Sequence, residues 1–217
     1  MLLNGFSLTN PDVSGSVPNI EITYVASTEG QNTIAQPAGT LVGDIMVWLG
    51  GYDTAGAGAC QLPPDFTRID HLESSYASTV SGYRIVDGNE TTPFLAGSFI
   101  TGATILTFRK SGGSWTVPTT ENLHSVNDED NVGAVISTAS VTPVSVSDIL
   151  VCSFINDGGD AISIGPPDMT LRKESLFSSW RVSTYSMVAG QTAPITKEVT
   201  YSATDNRCAY AIILNAG

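Results

Sequence analysis

Four aspartates stand at matching positions in the two halves of the chain, and such carboxylates could bind a metal or perform acid–base catalysis. Asp44 and Asp148 each stand directly before an apolar run, whereas Asp65 and Asp168 each follow a Pro-Pro pair. Both contexts are typical of turns, where a short carboxylate accepts hydrogen bonds from backbone N–H groups. We therefore interpret all four aspartates as structural turn residues.

The densest acidic run, from Asn127 to Asn131, carries the oxygen ligands that hard cations prefer. It lacks the alternating aspartates, the glycine and the distant glutamate of a calcium loop. The sequence therefore favours a solvated loop over a metal site.

The two histidines, His71 and His124, fit no zinc-ligand spacing, and the chain contains no G-x-S-x-G elbow and no phosphate-binding loop. We expect a non-enzymatic protein without a cofactor or metal. A polysaccharide-degrading enzyme remains an alternative, because a glycosidase needs only two carboxylates and the chain has 21 acidic residues.

Several aromatic side chains could stack on sugar rings, but such residues also pack in the cores of β-sandwiches. The candidates are Tyr52, Tyr76, Trp115, Phe177 and Trp180. We favour the packing interpretation and keep glycan binding as the alternative.

Composition excludes further classes of function. The 217 residues carry a net charge of −12, which repels nucleic-acid phosphates. No apolar run reaches the roughly 18 residues of a membrane span, and the start does not resemble a signal peptide. We expect a soluble protein made in the cytoplasm that binds neither nucleic acid nor membrane.

Cys60 lies in a Gly-rich loop, where an exposed thiol is expected, whereas Cys152 and Cys208 lie in apolar runs typical of a core.

The elements that would position these residues are strands, because alternating apolar residues recur between Gly-rich and Pro-rich turns without helical stretches. Nine strands are predicted: 20–25, 45–49, 79–86, 103–108, 132–139, 149–155, 182–188, 198–202 and 209–214. This pattern predicts an all-β protein with antiparallel sheets.

The two halves repeat one another in four blocks. GDIMVWLGGYD from Gly43 is matched by SDILVCSFIND from Ser147, and LPPDFTRI from Leu62 by GPPDMTLR from Gly165. The segments around Tyr83 and Tyr185, and the apolar strands 103–108 and 209–214, complete the series in the same order. The pseudo-repeats therefore span residues 20–109 and 132–214.

Each half supplies about four predicted strands, too few to bury both faces of a sheet. We expect the halves to share one core in a single jelly-roll-like β-sandwich over residues 20–217. The alternative is two tandem small sandwiches joined at residues 111–131. We rank it second because that stretch resembles a long packed loop more than a linker.

Residues 1–19 contain Pro and Gly without a sustained period and are predicted to form an extended N-terminal arm. Leu2, Leu3 and Phe6 would expose apolar surface there unless something covers them. We expect these three residues to bind a neighbouring subunit.

Four segments resemble a pattern found in structural proteins of tailed-phage particles: PAGTLVGDIMV from Pro37, LPPDFT from Leu62, YRIVDG from Tyr83 with Pro93, and ATILTFR from Ala103. The pattern reads P-x-G, G-D-L-L-V, P-P-x-G-W-T and Y-x-K. Here Asp65-Phe66 and Asp168-Met169 replace Gly-Trp, and Arg84 and Ser186 replace the lysine.

The resemblance implies a virion protein of the jelly-roll type that brings no catalytic residues. It implies a capsid decoration or cement protein whose partners are the major capsid protein and copies of itself, in a homotrimer. A tail or fibre module that binds host glycans is the alternative, although the chain has no shaft repeat or coiled coil.

Overall fold

The structure is a computed structural model. It describes residues 20–52, 60–73, 78–95, 100–116, 123–128, 134–203 and 205–217. The predicted arm, with Leu2, Leu3 and Phe6, lies outside these residues.

The described residues form fifteen strands and contain no helix. The strands are β1 Ile22–Gly30, β2 Thr33–Ile34, β3 Ile45–Tyr52, β4 Thr67–Glu73, β5 Ser78–Ile85, β6 Phe94–Leu95, β7 Gly102–Lys110, β8 Leu123–Asp128, β9 Val135–Ser137, β10 Ile149–Asn156, β11 Ile162–Ile164, β12 Thr170–Phe177, β13 Trp180–Val188, β14 Glu198–Tyr201 and β15 Arg207–Leu214. The predicted all-β class is confirmed.

The strands form two five-stranded sheets and two smaller ones, and every pairing between named strands is antiparallel. The first large sheet has the order β1-β7-β3-β5-β4, and the second has the order β8-β15-β10-β13-β12. The small sheets are β2-β6 and β9-β14-β11. Each large sheet therefore draws all its strands from one half of the chain.

The central strands bury both faces, which explains why their sequences are continuous apolar runs. In β3, Val47 faces a cluster between the two large sheets, whereas Trp48 faces a cluster beneath the small sheet β2-β6. In β10, Val151 and Cys152 divide in the same way between the inter-sheet cluster and the cluster beneath β9-β14-β11. The result is a β-sandwich-like stack in which each large sheet has apolar packing on both sides.

The two large sheets contact each other through residues of both halves. The main inter-sheet cluster includes Ile45, Val47, Leu49, Leu106 and Phe108 from the first sheet and Ile149, Val151, Ile212 and Leu214 from the second. Towards the other end of the strands, the Thr79 and Tyr210 hydroxyls form a buried hydrogen bond. Edge strands also meet, since Lys173 on β12 pairs with Glu29 on β1 at 3.1 Å.

Six strands were not predicted from the sequence: β2, β4, β6, β8, β11 and β12. The most instructive misses are β4 and β12, which are edge strands with charged residues and a register shift, between Arg68 and Asp70 in β4 and between Leu171 and Lys173 in β12. Bulges and charges protect sheet edges, and they also interrupt the alternating pattern.

The stretch 111–131 is not wholly the packed loop expected, because β8 lies within it. Asn127 and Asp128 belong to β8, so the acidic run is strand at its start rather than solvated loop. Residues 129–133 lie outside the described part of the chain. Of the strand predicted at 132–139, the structure shows the three residues of β9, Val135–Ser137.

Close approach of the two large sheets predicts that Gly51→Ala destabilises the protein. A methyl group there would overlap the Trp180 ring and lie 2.7 Å from the Ser78 carbonyl oxygen. We expect the free energy of unfolding to fall by about 1–3 kcal/mol in urea denaturation. Gly112→Ala is the control, since its methyl group meets no atom within 4 Å. Equal stability of both variants would contradict the described packing.

Candidate interaction surface

Asp44 locks the turn that leads into β3. Its carboxylate accepts two hydrogen bonds from the Arg109 guanidinium, from Nε and Nη2, both at 2.8 Å. It also accepts one from the Leu41 backbone N–H at 2.8 Å, and the residue is only 2% exposed. The hydrogen bonds to Asp44 raise the pKa of Arg109.

Asp148 locks the equivalent turn before β10 with a different set of donors. One carboxylate oxygen accepts the backbone N–H groups of Val144 and Ser145, each at 2.8 Å. The other accepts the N–H of Ala216 at 2.7 Å, so the same side chain also holds the C-terminal segment. Lys110 lies near enough for the Asp148 charge to act on it, although burial lowers the pKa of Lys110 overall.

These bonds agree with the interpretation of Asp44 and Asp148 as turn residues, and they leave neither carboxylate exposed for chemistry. Asp65 and Asp168 differ from the expectation, because their side chains form ion pairs across the surface. Asp65 lies 3.3 Å from Arg84, and Asp168 lies 2.8 Å from Lys197. The turns that contain them are closed by backbone bonds, from Phe66 N–H to the Pro63 oxygen and from Met169 N–H to the Pro166 oxygen.

The two locked turns carry exposed apolar side chains. Leu41 and Val42 are 57% and 70% exposed in the first turn, and Val144 and Val146 are 73% and 55% exposed in the second. Ile85 and Val188, which pair with the first residues of β3 and β10, are exposed beside them. We call this surface the turn end; it consists of Leu41, Val42, Ile85, Val144, Val146 and Val188.

The turn end concentrates apolar exposure. It holds six of the eleven large apolar side chains that are exposed among the described residues. Scattered exposed apolar residues are normal on soluble proteins, but a concentration of them indicates a binding surface.

The two turns are tied to one another through the core. Trp115 donates a hydrogen bond from its indole N–H to the Gly43 carbonyl oxygen at 2.8 Å, and it packs in the inter-sheet cluster beside Ala216. Ala216 in turn is bonded to Asp148. Gly43 has a φ of 93°, a conformation that glycine adopts readily and other residues avoid. The backbone that carries the apolar side chains is therefore held to the core by hydrogen bonds.

The chemistry available to this surface is burial of apolar area against another molecule. Within the described ranges, no group of three or more His, Cys, Asp or Glu residues is arranged to hold a metal ion.

Comparisons with known proteins add no assignment. No protein-family model, curated protein or solved structure matches the chain. Among the described residues, no helix has the length and apolar character needed to cross a membrane.

The aromatic candidates for sugar stacking are mostly buried. Trp115, Phe177 and Trp180 are at most 8% exposed, so they pack in the core as the favoured interpretation predicts. Tyr52 is partly buried at the end of β3, and Tyr76 lies outside the described residues.

Cys60 is fully buried, which corrects the expectation of an exposed thiol. Its Sγ donates a hydrogen bond to the Ser78 carbonyl oxygen at 3.2 Å, so the residue is covered by the start of β5. A Gly-rich segment gives no indication in the sequence of what packs over it.

Sequence reasoning also missed the turn end. Leu41 and Val42 stand between Gly39 and Gly43, and Val144 and Val146 stand among serines after Pro143. Apolar residues inside turn-forming sequence just before a capping aspartate are the signal that could have identified this surface.

Loss of the Asp148 carboxylate is expected to destabilise the protein strongly. Asp148→Ala removes three hydrogen bonds from backbone N–H groups to a carboxylate, and a hydrogen bond to a charged group contributes about 1.5–3 kcal/mol. We expect a decrease of at least about 3 kcal/mol, measured by urea denaturation. Asp168→Ala, which removes an ion-pair carboxylate that is 61% exposed, should cost less, about 1 kcal/mol. Similar losses in both variants would refute the turn-locking role.

Alkaline pH should destabilise the protein through Cys208, because burial raises the pKa of its thiol to about 12 from 9.0. The folded state retains the thiol proton to a higher pH than the unfolded state. The stability linked to this proton is therefore fully present below pH 9 and is lost as the pH rises towards 12. Between about pH 8 and pH 11, the wild type should lose roughly 2–3 kcal/mol more than Cys208→Ala. Urea denaturation at both pH values provides the measurement. Parallel losses would show that the thiol does not contribute.

Proposed function

We propose that this chain is a structural protein of a tailed-phage particle, a decoration or cement protein that stabilises the assembled capsid by protein–protein contact. Its proposed partners are the major capsid protein and copies of itself in a homotrimer. In this function the chain acts by burying surface and performs no reaction.

The observation that carries this proposal is the turn end. Four exposed apolar side chains lie on two turns that are fixed by buried carboxylates, and two more lie beside them at the ends of β5 and β13; such a surface suits a partner that remains bound. The carboxylates that first suggested catalysis are used in turns or ion pairs. The three buried aromatics are unsuited to sugar stacking, which favours a protein partner over the glycan alternative.

We further infer that the chain is built from two copies of one unit. Strand order supports this inference, because β1-β7-β3-β5-β4 and β8-β15-β10-β13-β12 visit corresponding strands in the same order. The turns before β3 and β10 support it too, since an aspartate accepts a backbone N–H bond in each.

We also infer that each half of the chain has the connectivity of a jelly roll. In the first half the chain passes from β1 in the large sheet to β2 in the small sheet, back to β3, and later from β6 to β7. This alternation between two facing sheets is typical of a jelly roll. On this inference each half forms one jelly-roll-like unit, and the two units pack through their large sheets.

Localisation on the phage particle tests the proposal. Gold-labelled antibodies against this chain should mark the capsid, and particles that lack the chain should release their contents at a lower temperature than complete particles. Adding the purified protein back should restore the higher temperature. Labelling confined to the tail, or capsids equally stable without the chain, would refute the cement function.

A further inference from the structure

We propose that the turn end binds the N-terminal arm, residues 1–19, of a second copy of this chain. This inference rests on the proposed function, in which copies associate, and it names the contact that joins them. The arm residues concerned are Leu2, Leu3 and Phe6.

The arm joins the described structure at the turn end. A methyl group on either Gly113 or Gly217 would lie within 3.3 Å of the Ile20 Cδ1 atom, so Ile20 lies beside the C-terminus and the Trp115 segment. A cavity lined by Ile20, Glu21, Ile22, Ser147 and Val188 connects the start of β1 to the second turn. The chain that precedes Ile20 therefore begins beside this apolar surface.

The composition of the arm matches the surface that we assign to it. Residues 1–19 include the apolar side chains Met1, Leu2, Leu3, Phe6, Leu8, Val13 and Val17. Asp12 is the single charged side chain in the segment. An apolar and nearly neutral segment gains free energy by covering the exposed side chains of the two turns.

Charge and length favour an arm from a second copy. Each copy carries a net charge of −12, so two copies repel when large surfaces approach, whereas a thin arm makes contact with less repulsion. The two turns belong to stacked sheets, which lie about 10 Å apart. The thirteen residues 7–19 can span up to about 40 Å, which is long enough for Leu2, Leu3 and Phe6 to reach a neighbouring copy.

Two full-length variants and a control test the arm contact. The arm variant carries Leu2→Ser, Leu3→Ser and Phe6→Ser, and the surface variant carries Val42→Asp and Val144→Asp. The control carries Leu95→Asp and Leu176→Asp, which add the same charge at side chains that are 67% and 54% exposed elsewhere. Sedimentation velocity over a range of concentrations measures association, and thermal melting checks that each variant is folded.

We expect the wild type and the control to associate, and the arm and surface variants to remain monomers with a self-affinity at least about 100-fold weaker. The arm variant loses the apolar side chains that make the contact, and the surface variant would bury unpaired charges. Mixing the two variants should restore one contact, because the surface variant retains its arm and the arm variant retains its turn end. The mixture should contain a species of two chains, twice the 22.7 kDa mass of one chain.

Three outcomes would overturn the inference. Association of the surface variant equal to that of the control would show that copies meet elsewhere. A wild type that stays monomeric, with a lower melting temperature in the arm variant, would show that the arm covers its own turn end. A monomeric wild type with unchanged melting in the arm variant would exclude the arm altogether. Failure of the proposed function is a separate result, because it appears as absence from the capsid while the copies still associate.

Discussion

The structure depends on the need of a buried carboxylate for hydrogen-bond donors. Asp44 and Asp148 stand at the entrances to β3 and β10, where they are almost completely buried. Both bind the backbone of the turn that precedes them; Asp44 also binds the Arg109 guanidinium, and Asp148 also binds the C-terminal segment. The conformation of both turns, and with it the position of the exposed apolar side chains, follows from these bonds.

Burial of the central strands on both faces organises the remaining layers. A strand such as β10 carries apolar residues at successive positions, so one large sheet cannot leave either face in water. One face of each large sheet packs on the other large sheet, and a small sheet covers the opposite face. The stack thus buries the apolar faces of the sheets in both halves. The turns at one end lie outside the stack.

Sequence patterns predicted the parts of the structure that local chemistry determines. The blocks around β3, β10 and β15 were identified because their apolar runs are long, and the turn role of Asp44 and Asp148 follows from their position before a strand. The edge strands β4 and β12 were missed because charges such as Arg68 and Lys173 interrupt their alternation. Neither the burial of Cys60 nor the position of the two turns at the same end of the stack is local, since both depend on how distant segments pack.

The turn end connects the fold to the proposed function. A surface fixed by buried bonds loses little conformational freedom when it binds, so apolar contact there is converted into affinity efficiently. The bonds of Gly43 to Trp115 and of Asp148 to Ala216 hold both turns to the same core cluster, although the turns are far apart in sequence.

Hydroxyl-radical footprinting of the free and assembled protein, read by mass spectrometry at each side chain, tests this account most directly. Assembly should protect Leu41, Val42, Val144 and Val146, while Leu95 and Leu176 should be oxidised equally in both states. Protection of Leu95 and Leu176 with unchanged oxidation of the turn end would contradict the assignment of the turn end as the contact surface.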